Sequence, residues 1–194
     1  MKLFSTLSLV VALAACGGGE PAENAPDAPA TAPAAQAAAP SLSEMTMPDW
    51  FHVDEAGKTV HMTITAGLTD VLNHWNYNGY TKGEATITVP EGYTINIDLV
   101  NKDPVMAHSL GISTVTSGFG AMLDQTVAFD GAVTSDAASM TDATMPGETE
   151  SISFVASKAG NYSMACFIVG HAATGMWIHF NVSADGSAGV QTTM

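Results

Sequence analysis

The chain has 194 residues, 46% of them hydrophobic, which is enough for one domain with a real core. Acidic residues number 19 against 5 Lys and no Arg, and the formal net charge of −14 argues against nucleic acid and anionic membrane surfaces as partners. It favours basic partners, although the same acidity also keeps an exported protein soluble.

Met1-Lys2 precedes an apolar run from Leu3 that ends in Leu13-Ala14-Ala15-Cys16. One basic residue, a short apolar stretch and small residues before a cleavage point read as a secretory signal over residues 1–15. The run is short of the roughly 20 apolar residues of a membrane-spanning helix. Its ending resembles a bacterial lipobox, which implies cleavage before Cys16 and lipidation of that thiol. The alternative is an ordinary signal peptide with an incidental Cys. On the lipobox reading the protein is exported and lipid-anchored to the cell membrane or outer membrane, with its domain facing the periplasm or exterior. Residues 16–40 are Ala, Pro, Gly and acidic side chains without apolar periodicity, the composition of a disordered tether. The folded domain is expected over 41–194, with Trp50-Phe51 docking its first segment.

Beyond Gly57 the chain reads as strands. Val60, Met62 and Ile64 alternate with polar residues, as do Ile87 and Val89, and Tyr93, Ile95, Ile97 and Leu99 form the longest such set. Ile152 with Phe154, and Tyr162 through Cys166, give two more. In the last strand Met176, Ile178, Phe180 and Val182 alternate with Trp177, His179, Asn181 and Ser183. Period-two alternation between short Gly, Pro, Asn and Asp breaks predicts half-buried antiparallel strands, hence an all-β Greek-key β-sandwich. Between residues 117 and 150 the pattern weakens, and an extended connection is expected, packed through Phe119, Met122, Val127 and Phe129.

The chemistry concentrates between Met164 and Trp177. There Cys166, His171 and Met176 follow one another at intervals of five residues in a Gly/Ala-rich loop. His108 opens an apolar run upstream and is expected to reach the same point from the opposite sheet. Two His, one Cys and a weak thioether form the ligand set of a mononuclear blue-copper centre. Zinc prefers four strong ligands and makes poor use of a thioether. Singly, each residue has a plainer reading: a lone Cys or Met as core, a lone His as surface. Cys166 is also the one thiol left in the folded part if Cys16 carries lipid, and an unpaired thiol in an oxidising compartment calls for an explanation such as metal ligation. His61 and His179 fall on the polar parity of their strands and are expected at the surface, while His52 and His74 are unplaced. Met106, Met140 and Met145 have the softness to touch Cu(I), but adaptable filler is the expected role.

From about Asn76 to Ser183 the chain resembles the sulfocyanins of the cupredoxin superfamily, which are related to rusticyanin in loop spacing. The resemblance rests on Asn76-Tyr77-Asn78-Gly79, Ala85 to Pro90, Val100-Asn101-Lys102-Asp103, His108-Ser109, and above all Cys166 to Trp177. It implies one copper ion in a type 1 site held by His108, Cys166, His171 and Met176. It also implies an electron-carrier role in an aerobic respiratory chain. Archaeal sulfocyanins are typically held by a membrane segment, so a lipobox would make this a bacterial version. Ser109 beside the ligand His resembles the rusticyanin arrangement and implies a relatively high potential. Ser109 and Asn101 are the expected supporting residues, and Phe167, Ile168, Val169, Ala172 and Ala173 an apolar rim around His171.

Three functions compete. A one-electron carrier, reduced and reoxidised by redox partner proteins of cytochrome or terminal-oxidase type, needs one rigid buried site. A copper storage or delivery protein favours exposed Met/His clusters. A copper enzyme needs a second metal with paired His ligands, and no His-x-His pair occurs. The carrier is the expected function, with no enzyme activity.

Overall fold

The computed structural model describes residues 41–194, so the expected signal, the lipidation at Cys16 and the tether lie outside the described residues. The elements in order are β1 (Phe51–Asp54), β2 (Thr59–Ala66), β3 (Ala85–Pro90), β4 (Thr94–Asn101), β5 (Gly111–Ser113), β6 (Thr149–Val155), β7 (Gly160–Ala165), α1 (His171–Thr174), β8 (Trp177–Ser183) and β9 (Gly189–Thr192). Strands β1-β2-β4-β6 form one sheet and β5-β7-β8-β3-β9 the other. Among the described residues no helix is long and apolar enough to cross a membrane.

The alternation in the sequence becomes the filling of the sandwich. Val60, Met62 and Ile64 of β2, Ile95, Ile97 and Leu99 of β4, and Ile178, Phe180 and Val182 of β8 are all buried. Each such side chain contributes about 1.5–3 kcal/mol by leaving water. Tyr93 falls just outside β4, in the turn that Gly92 opens with φ 80°.

Two pairings differ from the antiparallel expectation. β2 runs parallel to β4, and β3 runs parallel to β8. Because β3 lies in the other sheet, the chain passes from β2 to β4 through the second layer instead of by a hairpin. Period-two burial is the same in both orientations, so alternation carries no information on direction. The parallel pairing matters for function, since β2 and β4 both end at the same end of the sandwich.

The connection between β5 and β6 is more ordered than its composition implies. Val127 and Val133 bridge to Ser113 and Gly111, and Thr144 bridges to His108, so the segment covers the free edge of β5. Phe129 enters the core, stacked on Phe154 at 5.6 Å and edge-on to Tyr162 at 4.9 Å. Phe119 leans on Trp177, and Val127 joins it in a second apolar cluster on the outer side of the sheet. Met122 does not pack as expected: it is 76% exposed.

Candidate metal centre

Three ligand-bearing segments meet at one end of the five-stranded sheet. Cys166 directly follows β7, Met176 directly precedes β8, and His108 lies just before β5, which pairs with β7. His108 therefore does not come from the opposite sheet. The antiparallel β5–β7 pairing, with Gly111 opposite Ala165, brings the start of one strand beside the end of the other. One ligand atom each from His108, Cys166 and His171 lies within 4.8 Å of the others, and all three side chains are buried. Cys166 Sγ is 3.4 Å from His171 Nδ1.

The loop between Cys166 and Met176 closes on itself. The Cys166 amide donates to the Met176 carbonyl (3.1 Å), and the Met176 amide donates to the His171 carbonyl (2.9 Å). Sequence predicts a plain loop for His171, but the residue opens the one-turn helix α1. Gly170 enters that turn at φ 83° and Gly175 leaves it at φ 132°, angles a side chain resists. A Cβ on Gly175 would also stand 3.0 Å from Leu72 Cδ1. Met176 is completely buried, as its parity with Ile178 and Phe180 predicts.

The imidazole of His108 has a fixed tautomer. Asp103 Oδ2 lies 2.8 Å from its Nε2. Asp103 Oδ1 accepts the Val105 and Met106 amides at 2.9 and 3.1 Å. Burial works against the Asp103 charge, but these hydrogen bonds outweigh it and hold the carboxyl below its ordinary range. Burial also lowers the His108 pKa, more than the ion pair with Asp103 raises it, so the ring is neutral. A carboxylate only accepts, so the one ring proton of a neutral imidazole sits on Nε2. Nδ1 is left with a lone pair, and it is buried without any hydrogen-bond partner. An orphaned lone pair beside a thiol and a second imidazole fits a metal ion.

His171 is pushed down to about 4, first by burial and then by its neighbour His108. Burial pushes the Cys166 thiol up, opposed by hydrogen bonds from Ser109. Both the Ser109 amide and its hydroxyl lie 3.5 Å from Sγ. The hydroxyl oxygen accepts the Phe167 amide at 2.9 Å, which leaves its proton free for the sulfur. Two neutral imidazole nitrogens and a buried soft sulfur suit a soft or borderline transition metal better than calcium or magnesium.

With this geometry in place, the relatives are informative. The family model of the sulfocyanin (SoxE) domain matches residues 49–193. The chain belongs to the sulfocyanin family. It is 33% identical to the sulfocyanin of Sulfolobus acidocaldarius over 134 residues, which are 63% of this chain and 62% of that protein. The match thus spans less than two thirds of the archaeal sulfocyanin's length. Crystal structures of two rusticyanin variants superpose with a TM-score of 0.50. One is 24% identical, covering 70% of this chain and 88% of its own, and the other is 21% identical, covering 72% and 86%. At that identity they show a shared cupredoxin-like sandwich and nothing about the site.

In this sulfocyanin domain the supporting residues come from both sheets. Asn101 ends β4, and its side chain donates to the Met106 and Thr144 carbonyls at 2.8 Å each and accepts the Asp103 amide at 2.9 Å. It braces the His108 loop, whereas Ser109 touches the sulfur itself. Asp103 and Trp75 were not anticipated. The Trp75 indole is stacked on the His171 ring, with centroids 3.9 Å apart and planes 18° apart. Tyr77 is buried and donates its hydroxyl proton to the Ser109 carbonyl, and burial raises its pKa well above the ordinary value. Asp103 had a signal in sequence, a carboxylate five residues before a candidate ligand His. Trp75 had none, because only the fold brings it to His171.

The other candidates divide. Phe167, Ile168 and Ala172 are buried, while Val169 is 50% exposed and Ala173 is exposed, so the expected rim is mostly interior packing. Met106 and Met145 are half-buried, but Met140 is 59% exposed and is not filler. His52 and His61 are exposed. His179 is half-buried edge-on to Trp177, and burial lowers its pKa. His74 is half-buried, and a charge on it would be felt by His108.

Proposed function

We propose that this protein is a one-electron carrier with a single copper ion held by His108, Cys166, His171 and Met176. The reading is carried by the unpartnered Nδ1 of His108, buried close to the Cys166 sulfur and the His171 ring. When bound, copper supplies a reversible Cu(II)/Cu(I) couple. The chain supplies everything else. Asp103 keeps the His108 proton on Nε2, Ser109 directs two donors at the sulfur, and Met176 offers a soft thioether from the start of β8. Cys166 and His171 are tied through the Met176 backbone, so the donors hold their places whichever oxidation state they surround. Such preorganisation suits electron transfer, which is slowed by every rearrangement of ligands.

His171 also supports a route out. It lines a small opening of about 130 Å³ with Val105, Met106, Ala107, Met140 and Ile168. Val105, Met140 and Val169 are exposed apolar side chains of the kind that mark a docking surface. Partner proteins are redox proteins of cytochrome or terminal-oxidase type, met outside the cytoplasmic membrane. The membrane attachment is through lipid on Cys16. Copper storage or delivery is the second reading, and the exposed Met140 beside the His171 opening is the observation in its favour. The burial of all four donors weighs against it, because a delivery site must exchange its ion.

Titration of the purified protein with Cu(II), followed by visible absorption and electron paramagnetic resonance, tests the proposal. An intense thiolate-to-copper band at one copper per chain, bleached reversibly by ascorbate, is the expected result. Colourless or readily exchanging copper would overturn the carrier in favour of storage or delivery.

A further inference from the structure

We infer that Trp75 is the positioning residue of His171: its indole face holds the imidazole with Nδ1 turned to the Cys166 sulfur. The strap of residues 67–79 is built to put it there. The inference rests on the proposed metal centre for its purpose, but not for its geometry.

Besides Trp75, the His108 ring meets His171 edge-on with centroids 5.2 Å apart, and His171 has little polar support. Its Nδ1 meets only the Cys166 sulfur, at 3.4 Å, and among the described residues no protein group hydrogen-bonds its Nε2. The Trp75 ring lies 3.9 Å away and is tilted by only 18°, so a flat contact covers one whole face of the imidazole. The indole is present for that face and not for its donor, because Trp75 Nε1 is buried without a partner. An indole normally finds a partner for its N–H when buried, and this one forgoes it.

The backbone that delivers Trp75 is unusual in the same way. Leu72, Asn73 and His74 take φ values of 50°, 56° and 69° in succession, a left-handed run that L-residues avoid. Such a run persists only when its surroundings over-determine it. The fully buried Asn76 does so: its Nδ2 donates to the Thr69 and Val71 carbonyls at 2.8 and 3.1 Å, and its Oδ1 accepts the Gly79 amide at 3.1 Å. Leu72, together with Lys82, fills the space where a side chain on Gly175 would stand, and Gly67 packs against the Asp103 backbone. One strap from the end of β2 therefore touches both imidazole-bearing loops. A strained backbone that leads into Trp75, and an unpaired indole laid on His171, mark a selected position and not spare loop packing.

Trp75→Leu removes the stack, and Trp75→Phe keeps an aromatic face. In the copper-free protein, His171 ring protons should show an indole ring-current shift by nuclear magnetic resonance. The shift should be lost in Trp75→Leu, with the ring sampling more than one rotamer, while Trp75→Phe keeps one rotamer. Trp75→Leu should also bind Cu(II) about tenfold more weakly and give a heterogeneous paramagnetic resonance spectrum, with Trp75→Phe restoring both. Unshifted ring protons in the wild type, or a Trp75→Leu protein with a single rotamer and wild-type affinity and spectrum, would overturn the inference. Should Trp75→Leu fail to fold, Trp75→Met is read in its place by the same criteria. A wild type without a thiolate-to-copper band would sink the proposed centre alone, since the resonance experiment on copper-free protein still decides Trp75.

Discussion

The five-stranded sheet supplies the proposed donors, and apart from Ser109 the residues that hold them end or follow strands of the four-stranded sheet. His108, Cys166 and Met176 sit at the ends of β5, β7 and β8, with His171 in the loop between the last two. Asp103 and Asn101 come from the end of β4, and Trp75, Asn76 and Tyr77 from the segment after β2. The two imidazoles show the division most clearly. His108, deep in the protein, is fixed by a charged hydrogen bond that also chooses its tautomer. His171, which lines the opening, is stacked on Trp75, and among the described residues no protein group hydrogen-bonds its Nε2. Directional chemistry is used where water is excluded, and a non-directional face where an edge must stay accessible.

That division can be broken one layer at a time. The largest effect belongs to the donor layer: Cys166→Ala should abolish the visible charge-transfer band completely while thermal unfolding stays cooperative, because a small side chain replaces another in a buried site. Asp103→Asn attacks the holding layer. Both Asp103 oxygens accept hydrogen bonds, Oδ1 from two amides and Oδ2 from His108, and an amide side chain cannot accept on both sides. Either orientation sets donor against donor or drives the His108 proton onto Nδ1. Copper affinity measured by competition with a chelator should fall about 10- to 100-fold.

Asn76→Ala reaches one layer further out. It strands the Thr69 and Val71 carbonyls and the Gly79 amide, and urea unfolding of the copper-free protein should show a loss of about 1–3 kcal/mol. The last effect is one of pH. His171 titrates near 4 in the folded copper-free chain, because burial first and His108 second disfavour its charge, against about 6.5 when unfolded. Between these values the unfolded chain takes up a proton that the folded chain refuses, so stability rises with pH across that window. The stability conferred is fully present above about 6.5 and is lost as the pH falls towards 4. Denaturant midpoints measured across this range should move in that direction, and a midpoint independent of pH would mean that His171 is not buried as described.

How much was legible beforehand follows the same division. Cys166, His171 and Met176 announce themselves by residue type and spacing, and the strand parity of Met176 puts it inside. His108 was legible as a candidate, but its sheet was not, because a three-residue strand such as β5 carries too little alternation to reveal its partner. The parallel pairings of β2 with β4 and of β3 with β8 were invisible for a related reason, since burial parity is blind to strand direction.

The sequence by itself determined the strand-rich sandwich, through period-two alternation, and pointed to the proposed donor set, through the chemistry of one thiol, two imidazoles and a thioether. Only the tertiary structure decided how those donors are held. Parallel pairing carries the ends of β2 and β4 to the end of the sandwich where the ligand loops meet. From there Asp103 reaches His108, and a left-handed turn lays Trp75 on His171. The Asp103 contact spans only five residues and so left a trace in the sequence. The Trp75 contact has no spacing to betray it, because it joins residues far apart in the chain whose proximity depends on the fold.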